Sequence, residues 1–142
     1  MPIAQLVTSP IAATAHADAV LELAFLVSAV DGQLADEELS AFAELVGCVR
    51  GREPRKAEID DLLGRFLVAA RQTPSEDRLR ALAPTLPAEL RDTAFKVAVG
   101  LSLVDHEENA HEDELVGILG ATLGLAERSI PLAVEASDAF GG

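Results

Sequence analysis

Two stretches of this chain, VLELAFLVSAV at residues 20–30 and AFKVAVGLSLV at residues 94–104, carry two polar side chains each: Glu22 and Ser28, then Lys96 and Ser102. A helix that is apolar nearly all round offers no face to water and has to lie inside a fold. Neither stretch approaches the ~20 residues that cross a bilayer. Both are therefore expected to be central helices, surrounded by others.

The surrounding helices can be read from period and punctuation. Thr, Val and Ile nowhere alternate with polar residues over a useful length, while Ala, Leu, Glu and Arg dominate between breakers, so the fold class is all-α. The first central helix runs from about residue 16 to 30. The second helix starts near Asp36, which can cap it while Glu37 and Glu38 favour its positive end, and it stops near Val49 before Gly51. A third opens at Pro54, points Ile59, Leu62, Leu63, Phe66, Leu67 and Ala70 inward, and ends near Gln72. Thr73-Pro74-Ser75-Glu76 has capping-box spacing and predicts a short fourth helix ending before Pro84. Pro87 then opens the fifth, the other central one. A sixth covers about residues 112 to 123, closed by Gly124 as a left-handed cap, and a seventh covers about 126 to 140 with Pro131 in its first turns or at a kink. The result is a single-domain bundle of about seven helices with a pseudo-twofold repeat of buried helix, acidic loop and helix.

A chain of 142 residues suffices for one such domain without disulfides, and its single cysteine, Cys48, reads as a small core or boundary residue. The beginning, MPIAQLVTSPIAATA, has neither a basic segment nor a long apolar core, so a cytoplasmic location is expected. Eleven Lys and Arg against 24 Asp and Glu give a net charge of −13, which repels nucleic acid and favours cations or basic protein surfaces. The one basic run is RGREPRK, residues 50–56, in which Arg50 and Arg52 are expected to neutralise the negative end of the preceding helix.

Asp31 and Asp105 each follow a buried helix, where unpaired carbonyls already carry partial negative charge and disfavour a carboxylate. Compensation is required there. Hard divalent cations take several carboxylate and carbonyl oxygens, and Asp31 with Glu38, like Asp105 with Glu112, could supply a carboxylate from either side of a turn. Ordinary helix capping on a solvated acidic face is the other reading.

Familiar catalytic signatures are absent. HEDEL lacks the second histidine of a zinc-protease helix, and a calcium loop started at Asp105 would have Ala110 at its glycine and Val116 at its bidentate glutamate. GILGATLG, residues 117–124, has no lysine and lies on a helix, so its glycines are expected to allow close helix packing. No serine or cysteine is paired with a histidine at a recognisable spacing, and no enzyme activity is expected.

A helix ending in A-x-D-G, a short loop with one apolar residue, and an x-E-E opening of the next helix resembles the tellurite-resistance TerB-like family. Asp31-Gly32, Leu34 and Glu38 carry the first copy; in the second, Asp105 is kept, His106 stands in the glycine place, and the loop is two residues longer. The resemblance implies a non-enzymatic stress-response domain over residues 14–142, behind an N-terminal extension of residues 1–13. It also implies metal binding by the acidic loops, with Asp31, Glu38, Asp105, Glu107 and Glu112 as ligands of a divalent ion of unspecified identity. A protein partner is expected, with no nucleic acid and no membrane span; peripheral membrane association and homodimerisation stay open. The alternative is a metal-independent interaction domain whose acidic face docks a basic partner.

Overall fold

Ten consecutive residues of α1 (Thr14–Ser28), from Ala19 to Ser28, are buried. The structure, a computed structural model, describes residues 6–7, 10–28, 36–102, 110–125, 127 and 131–136, with backbone alone at 102 and 110–113. Among the described residues there are seven α-helices, one 3-10 turn and no strand, so the all-α expectation holds. The second central helix is α5 (Ala88–Ser102), which buries Ala94, Phe95, Val97, Ala98, Val99 and Leu101 and keeps Lys96 half-buried. No pair of elements packs more extensively than α1 with α5. Apolarity on every side has led both to the middle, as the sequence requires.

The other helices each turn one stripe inward. α2 (Asp36–Arg50) buries Phe42, Leu45, Val46 and Val49, and α3 (Lys56–Gln72) buries Ile59, Leu62 and Phe66, the spacings of a single helical face. Phe66 joins three elements: its ring centroid lies 5.7 Å from that of Phe25 on α1 and 6.3 Å, edge-on, from that of Phe42 on α2. α4 (Ser75–Leu82), the 3-10 turn Ala83–Thr85, α6 (Ala110–Thr122) and α7 (131–136) complete the bundle. All contribute to one hydrophobic cluster.

Two helix ends match the sequence reading closely. Gly51 (φ 75°) and Gly124 (φ 76°) take the left-handed conformation after α2 and α6. Each ends a Schellman turn: Arg52 N–H donates to the Gly47 carbonyl at 3.2 Å, and Leu125 N–H to that of Gly120 at 2.8 Å. Pro131 is the first described residue of α7.

Other boundaries differ for local reasons. α3 begins at Lys56 and not at Pro54, because Arg55 remains extended (φ −83°, ψ 151°) after the turn at Gly51. The capping box does not form. Thr73 is consumed as the C-cap of α3, donating its N–H to Ala69, and Pro74 precedes α4 with no side-chain cap. At Gly117 the expectation of close packing in GILGATLG is corrected, since a Cβ there would meet nothing within 4 Å, whereas Gly120 is buried.

Residues ahead of α1 also pack. Leu6 and Val7 are buried, Ile11 N–H donates to the Val49 carbonyl at 2.8 Å, and Pro10 lies against Gly51 so closely that a Cβ there would stand 2.8 Å from its Cγ.

Candidate functional site

Two buried polar residues flank the first acidic segment in the chain. Ser28 ends α1 and is buried with its Oγ unbonded among the described residues, while Glu38, in the first turn of α2, is 3% exposed. Asp36 and Glu37 beside it are exposed. Three acids in this turn suit the positive end of the α2 dipole, as expected, but the inward direction of Glu38 follows from helix geometry: it stands four residues before Phe42 and seven before Leu45, on the core face.

Of the five expected metal ligands, Glu38 is the one whose side chain is described. Asp31, Asp105 and Glu107 fall outside the described residues, and Glu112 is described only as part of the α6 backbone. Glu114, further along α6, is exposed. Among the described residues no three His, Cys, Asp or Glu side chains gather closely enough to hold a metal ion.

Where α1, α2 and α3 meet, the structure assembles charges that the sequence reading had not connected. Arg52 forks onto Glu58, with Nη1 to Oε1 and Nη2 to Oε2 both 2.9 Å, and Arg50 also donates to Glu58 from the end of α2. A second Arg50 nitrogen reaches Asp18 Oδ1 on α1 at 3.2 Å, and Arg65 joins Asp18 at 3.8 Å and Asp61 at 3.2 Å. Arg50 stands in the last turn of α2, as expected, but the hydrogen bonds at that carbonyl end come from the backbone of Ile11, Gly51 and Arg52, while both guanidiniums bond carboxylates.

These pairs set the local electrostatics. Bonds from Arg52 and then Arg50 hold the Glu58 carboxyl at about 2, against an ordinary 4.5. A cavity of about 310 Å³ beside the cluster is lined by Ile11, Ala12, Thr14, Ala17, Arg50 and Arg52. Its arginines are not free to attract an anion. Arg50, Arg52 and Arg65 are matched by Asp18, Glu58 and Asp61, so the group is neutral as a whole.

A second pair reaches the centre of the bundle. Glu22, on buried α1, accepts Arg78 Nε at 2.5 Å and Nη2 at 2.9 Å from α4. The sequence shows Glu22 as an unexplained polar residue in an apolar helix; its partner lies 56 residues away. Cys48 is half-buried, and its thiol is pushed up by burial and then by the charge of Glu44, which favours the protonated form, in keeping with a boundary residue.

Comparison with known proteins yields no matching family model, no curated relative and no matching solved structure. Among the described residues no helix is long and apolar enough to cross a membrane.

Proposed function

We propose that this chain is a TerB-like stress-response module whose acidic turns, after α1 and α5, bind a divalent metal ion and whose surface acts through a protein partner. The observation that carries this reading is the burial of Glu38, an acid held inward at the start of α2 while its neighbours Asp36 and Glu37 face water. A cation shared between the buried Glu38 carboxylate and Asp31 would add to the bonds the protein itself gives Glu38. Ser28 gives the same end of α1 a buried hydroxyl oxygen. Oxygen donors of this kind suit a hard ion such as calcium, magnesium or manganese. In this reading Asp31, Glu38, Asp105, Glu107 and Glu112 hold the ion, and the module performs no catalysis.

Titration calorimetry of chelator-stripped protein with calcium, magnesium, manganese and zinc tests the proposal. Saturable, stoichiometric heat is expected in the wild type and should vanish in the Asp31→Ala/Asp105→Ala double variant. Glu38→Gln should weaken binding by at least about tenfold, the loss of one carboxylate ligand being worth more than ~1.4 kcal/mol. Flat titrations would discard the cation. They would favour instead a metal-independent docking domain, a reading supported by the exposure of Asp36, Glu37 and Leu39 together on the first turn of α2. That acidic surface with one apolar residue fits a basic amphipathic partner.

A further inference from the structure

α4 has eight residues, fewer than the ~12–15 at which even an isolated helix becomes marginal in water, so its order comes from tertiary contacts. Leu79 is its one buried residue. At both ends the chain is extended at a proline junction: Thr73 (φ −137°, ψ 132°) leads into Pro74, and Leu86 (φ −85°, ψ 136°) leads into Pro87. The second junction is the more deeply held. Leu86 is buried, and its carbonyl accepts a hydrogen bond from Arg91 Nε at 3.2 Å. At the first, Thr73 has turned its N–H back to Ala69, leaving α4 to be fastened by its own side chains.

Besides Leu79 and the half-buried Leu82, the fastening is Arg78. Its guanidinium forks onto both oxygens of Glu22, whose side chain is only 7% exposed whereas that of Arg78 is 34% exposed. Removing the guanidinium would strand a carboxylate inside an apolar helix, a costly state that the molecule can relieve by admitting water.

We propose that the Glu22–Arg78 pair is a latch on α4: when it is released, residues 75–82 swing open as a local unit about the anchored Leu86, while the α1–α5 core stays closed. Short elements that bury few whole side chains open at lower free energy than the core around them, and α4, although it packs along α6 and α1, buries Leu79 alone completely. Opening would bare a stretch of α1 with one carboxylate set among apolar side chains, and would withdraw support from α6, on which α4 packs more extensively than on α1. The latch stands independently of cation binding.

Amide hydrogen exchange read by mass spectrometry on the full chain tests it, comparing wild type with Glu22→Gln and Arg78→Met. Exchange across residues 75–82 is expected to quicken at least about tenfold in both variants, with peptides from α2 and α5 unchanged. Equal acceleration in α2, α4 and α5 would overturn the proposal, since the pair would then belong to global unfolding. Unchanged exchange in α4 would overturn it as well. Should Arg78→Met not fold, Arg78→Lys, which keeps the charge and loses the fork, is read in the same way.

Discussion

Glu58 shows how a single side chain on this acidic protein is kept charged. Arg52 and Arg50 both bond to it, so its carboxyl titrates at about 2 in the folded chain and near its ordinary 4.5 when unfolded. The unfolded chain therefore takes up a proton that the native one refuses as pH falls from 4.5 toward 2, and stability drops over that interval; above it the contribution is fully present. Thermal unfolding followed by circular dichroism at several pH values should show a shallower acid-side fall for Glu58→Gln than for wild type. Superimposable profiles would mean that the arginines hold Glu58 no lower than the unfolded chain does. At this scale the sequence announced a basic run at residues 50–56, but its partners Asp18 and Glu58 stand on other helices, and nothing in the run points to them.

Among the helices, glycines separate into two physical kinds. Gly51 has φ 75° and Pro10 against it, so Gly51→Ala places a Cβ in a strained backbone and a crowded space. Gly64 in α3 and Gly117 in α6 face open space. Exposed helical glycine costs about 0.5–1 kcal/mol relative to alanine, so Gly64→Ala and Gly117→Ala should each raise unfolding stability by that amount. Gly51→Ala should lower stability by more than about 1 kcal/mol. Chemical denaturation with circular dichroism would measure all three, and a stabilised Gly51→Ala would contradict the geometry. Helix order was legible from apolar period and breakers because those signals are local; the starts of α3 and α4 were not, because Arg55 and Thr73 answer to the demands of the preceding turn and helix.

Over the whole molecule, 24 acids face 11 Lys and Arg, and a net charge of −13 presses outward on one small bundle. Lys96 bonding Glu135 at 3.3 Å ties α5 to α7, but ion pairing cannot reduce the net excess of acids. Raising sodium chloride from about 0.01 M to 0.5 M shortens the Debye length from about 30 Å to under 10 Å, so the melting temperature should climb. With no Trp or Tyr to report, ellipticity at 222 nm is the suitable signal. A falling melting temperature would mean that the screened ion pairs outweigh the screened repulsion.

By itself the sequence determined that this chain is all-α, that the stretches ending near Ser28 and Ser102 are central, and that Gly51 and Gly124 end helices. Each of those depends on neighbours within one or two turns, where period, capping and backbone sterics act. Only the tertiary structure decided that Glu22 would meet Arg78 across 56 residues and Arg50 would meet Asp18 across 32. Such pairs depend on which helices lie side by side and at what angle, and burial of apolar surface, which is non-directional, leaves that to the packing of the assembled core.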